Sequence, residues 1–191
     1  MNANDYQTAA ARTLIAKPEQ PFTSEELQIM LGAIDLVVKA GKVAEYVKKA
    51  ICHRHGFDQV ELNKRLIETV ISTNKLMLME DGSAPDLIFS GNEQMMLWCA
   101  LGLGGEASEV LESVSMLASF DLFDRDDEAT QFMAKEIGDQ QWYAAGLCTL
   151  AGLKLGNVMQ ANIAKLEKRY PNGYNAADSN ARADAKPQPT I

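Results

Sequence analysis

The feature that most constrains this chain is a helical spacing of apolar residues, which recurs over most of its length. Leu27, Met30, Leu31 and Ile34, for example, follow one another at intervals of three, one and three. Such spacing places apolar side chains on one face of a helix. Residues that interrupt helices are few, with 13 Gly and 6 Pro among 191 residues. The sequence therefore predicts an all-α fold, a bundle of helices.

Local signals divide this pattern into separate helices. Thr23 with Glu26 and Ser90 with Glu93 are capping-box pairs, which are typical of helix starts. A Gly-rich joint at 102–105 predicts an interruption between two helical segments, and turns or acidic connections are expected at 81–85 and 121–128. The predicted helices cover about 5–15, 24–52, 61–79, 90–101, 106–118, 129–153 and 156–170.

The domain organisation predicted from this pattern is a single all-α domain over residues 1–175. Residues 176–191 are small, polar and Pro-containing, and we expect them to form a disordered tail. The domain also shows an internal resemblance between its first half, at about 1–80, and its second half, at about 90–175, which predicts a duplication. Aligning Lys39 with Glu106 places Lys42 on Glu109, so the first copy is basic where the second copy is acidic.

Composition excludes several classes of function. A net charge of -8 argues against binding of nucleic acid or of an anionic membrane through a basic face. The sequence shows no apolar run long enough to span a bilayer and no signal-peptide pattern at its start. The three cysteines show no close pairing that would indicate a disulfide framework or a thiolate metal site. We expect a cytoplasmic protein without nucleic-acid or membrane partners.

Two pairs of acidic residues are the candidates for metal binding. Glu106 and Glu109 are three residues apart on a helix, as are Glu136 and Asp139, so each pair projects from one helix face. If the two helices pack antiparallel, four carboxylates meet and repel one another unless a divalent cation lies between them. Mg²⁺, with Mn²⁺ as a substitute, suits such oxygen ligands. The alternative is an ordinary solvated acidic face.

A set of polar residues on the last predicted helix is the candidate for phosphate binding. Asn162, Lys165 and Arg169 follow at intervals of three and four and share one face. An amide and two cations can bind the oxygens of a triphosphate. The alternative is a helix end whose positive charges interact favourably with the helix dipole.

Three motifs follow one another in the second half of the chain. They are Gly104-Gly105-Glu106-Ala107-Ser108-Glu109-Val110, then Glu136-Ile137-Gly138-Asp139 with Trp142-Tyr143, then the run from Asn162 through Lys165 and Arg169 to Tyr170-Pro171. In order and character these motifs resemble those of the MazG-like family, and the opening residues 5–13 are similar to the first helix of that family. The match extends over most of positions 1–174.

The resemblance implies a four-helix metal-binding core, assembled as a dimer or higher homo-oligomer, that hydrolyses a nucleoside triphosphate to the monophosphate and pyrophosphate. Deoxynucleotides or non-standard nucleotides are possible substrates on the same basis. Carried over by position, Asn162, Lys165 and Arg169 would bind the substrate. The catalytic metal ligands would be Glu106, Glu109, Glu136 and Asp139.

One departure from the family pattern leaves a second reading open. Many relatives follow their first acidic motif with a Lys-Lys pair, but Ser115 and Met116 stand there in this chain, and Lys48 and Lys49 instead follow the basic copy. We hypothesise that the first half has lost metal binding and supplies basic residues or packing surface. The alternative function is a catalytically inert helical module that senses nucleotides or binds a partner.

Overall fold

The computed structural model of the protein describes residues 1–14, 17–77, 88–120 and 127–185. Within those ranges the chain forms helices and no strand, so the predicted all-α fold is confirmed. The helices are α1 (Ala3–Ala10), α2 (Ser24–Ile51), α3 (Gln59–Met77), α4 (Gly91–Phe120), α5 (Asp127–Leu150), α6 (Leu155–Arg169) and α7 (Ala176–Ala181), followed by a 3₁₀ helix at Ala183–Ala185.

The chain forms two compact units. The first comprises Met1–Ile34 and Leu78–Leu155, and the second comprises Asp35–Met77 and Gly156–Ile191. Both units therefore draw residues from both of the halves predicted at about 1–80 and 90–175, and α2 contributes to each unit. The internal duplication itself stays a prediction.

The two predicted capping boxes are present at the starts of α2 and α4. The backbone nitrogen of Thr23 donates to Glu26 Oε2 at 2.7 Å, and the Glu26 nitrogen donates to Thr23 Oγ1 at 3.2 Å. Ser90 and Glu93 make the same reciprocal pair, at 2.7 and 3.3 Å. Each pair satisfies backbone donors that the first turn of a helix leaves without a partner, which fixes where these helices begin.

In the first unit α4 and α5 pack antiparallel. Asn92 Nδ2, at the start of α4, donates to the carbonyl oxygen of Leu150 at the end of α5, at 3.3 Å. Further along, the buried Cys99 packs against Gly146, where an added Cβ would lie 3.3 Å from the Cys99 sulfur. The close contact of the two helices brings the middle of α4 opposite the middle of α5.

The predicted interruption at Gly102–Gly105 is wrong, because α4 continues as one helix from Gly91 to Phe120. The glycines lower helix propensity by about 1 kcal/mol each relative to Ala. Packing compensates for this cost, since Gly102 lies directly against the Tyr143 ring of α5. The small residues here serve a close helix contact instead of a turn.

Helix α1 packs on α5 and ends at Ala10, earlier than the predicted end at Ile15. Gln7 Nε2 donates to the carbonyl of Leu153 at 2.7 Å, and Gln7 Oε1 accepts from the Leu155 nitrogen at 2.7 Å. Ala10 belongs to a small buried cluster with Ala145, which is fully buried. These contacts attach the N-terminal residues to the end of α5.

In the second unit α2 packs against α3, and the chain after α6 turns into α7. The Ser72 hydroxyl donates to Asp35 Oδ2 at 2.6 Å. The Tyr46 hydroxyl binds both backbone groups of Asp58: it donates to the Asp58 carbonyl at 2.7 Å and accepts from the Asp58 nitrogen at 2.6 Å. Arg65 lies over the Tyr46 ring, 5.2 Å from its centroid.

The disordered tail predicted for 176–191 is not what the structure shows over residues 176–185, which form α7 and the 3₁₀ helix. Asn175 caps α7 by accepting from the Asp178 nitrogen at 2.8 Å, and the buried Ser179 hydroxyl lies 2.8 Å from His53 Nδ1. Composition alone did not reveal these contacts, which offset the low apolar content of the segment.

Several sequence predictions lie wholly or partly outside the described residues: position 15 of the first predicted helix, 78–79 of the third, the turn at 81–85, 121–126 of the acidic connection and 186–191 of the tail. Among the helices that are described, every one is too short or too polar to cross a bilayer.

Candidate metal centre

Three of the four predicted metal ligands meet between α4 and α5. Glu106 and Glu109 of α4 and Glu136 of α5 each offer a carboxylate oxygen, and these oxygens lie within 4.8 Å of one another. The antiparallel packing of the two helices brings them together, and the spacing of three residues places both α4 acids on the face toward α5. Three carboxylates at these distances could hold one cation between them.

The three acids differ in burial: Glu136 is 2% exposed, Glu106 is half-buried and Glu109 is exposed. Lys135 Nζ lies 3.4 Å from Glu136 Oε1, but the Lys135 side chain is 69% exposed, so its charge is well screened. Two carboxylate charges 4.8 Å apart repel by roughly 3 kcal/mol at an effective dielectric near 20. Glu136 is therefore an acid buried beside other acids.

Crowding affects the protonation of Glu106. Burial raises the pKa of the Glu106 carboxyl above 4.5, and so do a hydrogen bond with the Glu136 carboxyl and the charges of Glu109, Glu136 and Asp139. Each of these causes disfavours a negative charge at Glu106. A divalent cation placed among the carboxylates would reverse this effect, because it favours their charged forms.

Asp139 stands apart from the three acids that meet. Its side chain is exposed, and it is not a member of the group whose oxygens lie within 4.8 Å. Its charge nevertheless reaches the cluster, since it raises the pKa of Glu106. Asp139 is thus a neighbour of the site whose role as a ligand stays a prediction.

Two tyrosines that the sequence did not single out as site residues lie beside the acids. The Tyr6 hydroxyl donates to the carbonyl oxygen of Gly138 at 3.3 Å, and its pKa is raised by burial and by the charge of Asp139. The pKa of Tyr143 is raised by burial and then by the charges of Glu106, Cys99 and Asp139. The resemblance of residues 5–13 to a family helix was the available signal for Tyr6, and the family motif that contains Trp142-Tyr143 was the signal for Tyr143.

The three candidate phosphate-binding residues lie on α6, in the second unit. Asn162 and Lys165 are exposed there. Arg169 is largely buried, with 15% of its side chain exposed, and it is bound by Asp184 from the C-terminal segment. Asn162, Lys165 and Arg169 share one helix face, as the spacing predicted, and Asp184 is a partner of Arg169 that the sequence did not indicate.

Comparison with known proteins gives one family and one relative. The profile of the MazG nucleotide pyrophosphohydrolase domain matches residues 94–174, which include all seven predicted site residues. The chain is also similar to the Gene 37 protein of Mycobacterium phage L5, with 34% identity over 80 residues, which is 40% of this chain and 67% of the phage protein. No solved structure gives a significant match. By its profile match, its all-α fold and its acidic motifs, the chain belongs to the MazG-like nucleotide pyrophosphohydrolase family.

Proposed function

We propose that this protein hydrolyses nucleoside triphosphates to the monophosphate and pyrophosphate in a reaction that requires Mg²⁺. The principal supporting observation is the meeting of Glu106, Glu109 and Glu136, from two helices, within 4.8 Å. Burial of the Glu136 carboxylate beside those of Glu106 and Glu109 lowers the stability of the fold. A cation site explains why the chain retains that arrangement, and the family to which the chain belongs cleaves nucleotides at a phosphoric anhydride.

The donor set fits the proposed ion. Carboxylate oxygens are hard ligands that suit Mg²⁺, with Mn²⁺ as a substitute, and a set of three leaves positions for water and phosphate oxygens. Glu106, Glu109 and Glu136 would hold the ion, and Asp139 is the fourth proposed ligand. When bound, Mg²⁺ supplies Lewis-acid polarisation of a phosphoryl oxygen and lowers the pKa of a water ligand.

The protein's own groups would position the substrate and move one proton. One of the carboxylates accepts the proton of the attacking water, which forms the new P–O bond as the anhydride bond breaks. Asn162, Lys165 and Arg169 would contact the phosphates. These side chains would supply positive charge and hydrogen-bond donors to the phosphate oxygens that gain negative charge during cleavage. Arg169 in particular offers a planar pair of donors to a phosphate.

The proposal is tested by incubating the purified protein with Mg²⁺ and a panel of ribo-, deoxyribo- and non-standard nucleoside triphosphates. Chromatography of the products should show pyrophosphate and the monophosphate in equal amounts. Glu136→Gln keeps the shape of the side chain and removes its charge, and we expect it to reduce turnover by at least about 100-fold. Glu128→Gln, an exposed acid on the same helix, is the matched control and should leave turnover unchanged.

An inert nucleotide-sensing or partner-binding module is the competing function. The basic residues of the first half, Lys39 and Lys42, stand where the alignment places Glu106 and Glu109, which favours loss of metal binding in that half. Binding of nucleotides without pyrophosphate release, across the whole panel, would support this second function and contradict the first.

We also propose that the protein assembles as a homo-oligomer. Helix α3 exposes several large apolar side chains, which include Val60 at 77%, Ile67 at 60% and Val70 at 58%. Apolar surface of this kind is a common feature of subunit interfaces. Light scattering coupled to size-exclusion chromatography should give at least twice the mass of 20.9 kDa, and a monomeric mass would reject the assembly.

A further inference from the structure

The C-terminal segment, residues 176–185, covers the guanidinium of Arg169. Arg169 Nε donates to Asp184 Oδ1 at 2.6 Å, and Arg169 Nη2 donates to the other oxygen, Oδ2. The two side chains are 15% and 7% exposed, respectively. Asp184 thus accepts two parallel hydrogen bonds from Arg169, which is the geometry in which a guanidinium recognises either a carboxylate or a phosphate.

The segment that carries Asp184 is attached to the second unit at more than one point. The Ser179 hydroxyl, on a residue that is 3% exposed, lies 2.8 Å from His53 Nδ1. Within the segment, Asn175 caps α7, and Arg182 Nε lies 3.8 Å from Asp184 Oδ1. Arg182 has a positive φ of 49°, and it ends α7 and turns the chain into the 3₁₀ helix that contains Asp184.

Asp184 and a phosphate group cannot bind the same pair of guanidinium donors at once. We propose that the carboxylate of Asp184 is an internal competitor for Arg169, so that a phosphate chain gains the Nε and Nη2 donors of Arg169 only when residues 182–185 move away. This inference rests on the proposed function, because it takes Arg169 as a phosphate contact. The segment then sets the affinity for the phosphate chain and makes the empty protein a self-blocked form.

The size of the effect follows from the fraction of molecules in which Arg169 is free. If Asp184 occupies Arg169 in nine molecules of ten, the apparent affinity for phosphate at that residue is weakened about tenfold. Release of the segment would restore it. The competitor therefore acts on the affinity for the phosphate chain.

Binding of inorganic tripolyphosphate to the full chain tests the inference without reliance on catalysis. Titration calorimetry in the absence of divalent cations measures the affinity for the anion at the basic residues alone. Asp184→Asn should lower the dissociation constant about tenfold. Glu167→Gln removes the same charge from an exposed position on α6 and should change it less than twofold. Arg169→Gln in the Asp184→Asn background should abolish the gain.

Hydrogen exchange gives a second measurement that holds even if Asp184→Asn loosens the segment. In the wild-type protein, saturating tripolyphosphate should speed amide exchange in residues 182–185. Three results would each overturn the competition. The wild type and Asp184→Asn could bind tripolyphosphate with equal affinity, or Glu167→Gln could gain as much affinity as Asp184→Asn. The third is an amide exchange rate in residues 182–185 that does not change when tripolyphosphate binds. If no nucleotide is cleaved but Asp184→Asn binds tripolyphosphate more tightly, the proposed function fails and the competition stands. If nucleotides are cleaved but Asp184→Asn binds tripolyphosphate no more tightly than the wild type, the competition fails and the proposed function stands.

Discussion

The Tyr143 ring lies against Gly102, so close that a Cβ on Gly102 would come within 2.2 Å of two ring atoms. On α4 this contact lies one helical turn before Glu106, and on α5 it lies one turn after Asp139. The absence of a side chain at residue 102 is therefore a condition for the helix approach that brings Glu106 and Glu136 together.

Substitution of this glycine should destabilise the protein. Gly102→Ala forces the Tyr143 ring or the helices to shift, and we expect a loss of about 1–3 kcal/mol in the free energy of unfolding. Gly105→Ala is the matched control in the same helix, because nothing lies within 4 Å of its added Cβ. It should be neutral or stabilising by roughly 0.5–1 kcal/mol. Urea unfolding measures both, and equal stabilities of the two variants would show that the contact is unimportant.

Thermal melting with and without Mg²⁺ should distinguish the acidic cluster from a solvated acidic face. The wild type should melt several degrees higher with millimolar Mg²⁺, because an ion that binds only the folded state stabilises it. Glu136→Gln should lose this response and, without Mg²⁺, should be at least as stable as the wild type, since one buried like charge is gone. Glu128→Gln should respond as the wild type does. An undiminished response of Glu136→Gln would remove that residue from the site.

The Arg169–Asp184 pair predicts an acid-dependent loss of stability. The hydrogen bonds from Arg169 are the largest cause that lowers the pKa of Asp184, from its ordinary 3.8 to about 2. The folded state therefore binds this proton less tightly than the unfolded state, and the stabilisation is present above pH about 4 and lost as the pH falls toward about 2. The difference in unfolding free energy between the wild type and Asp184→Asn should shrink over that interval. A difference that stays constant from pH 5 to pH 2 is incompatible with the pair.

The hydroxyl of Tyr6 should make a measurable contribution to the attachment of α1. Tyr6→Phe removes the donor to the Gly138 carbonyl and leaves the ring in place. We expect a loss of about 0.5–1.5 kcal/mol in the free energy of unfolding, the usual range for one hydrogen bond. Amide exchange of residues 3–10 should become faster at the same time. If stability and exchange both match the wild type, the 3.3 Å contact does not hold α1 in solution.

Much of the fold could be predicted because its determinants are local. The capping residues at Thr23 and Ser90 and the helical spacing of apolar residues located most helices within a few positions. The continuous helix through Gly102 could not be predicted in this way, since it depends on Tyr143, 41 positions further along the chain. Helix α7 was missed for the same reason, because Ser179 is buried against His53, which lies in another part of the sequence.

The candidate site shows the same division between local and distant information. The spacing of Glu106 and Glu109 gave their common face, and antiparallel packing then explained their meeting with Glu136. The spacing could not give the exposure of Asp139 or the pairing of Arg169 with Asp184, which depend on side-chain packing. Under the proposed internal alignment, Asp35 and Ser72 correspond to Gly102 and Tyr143, and both pairs are in contact. The duplication itself stays a prediction.

A crystal structure of the protein grown with Mn²⁺, with the ion located by its anomalous scattering, tests the shared cation site most directly. We expect a peak between α4 and α5, with oxygens of Glu106 and Glu136 at about 2.0–2.2 Å from it. Strong anomalous density elsewhere on the molecule, with none among Glu106, Glu109 and Glu136 at saturating Mn²⁺, would contradict the shared cation site and the catalysis proposed for it.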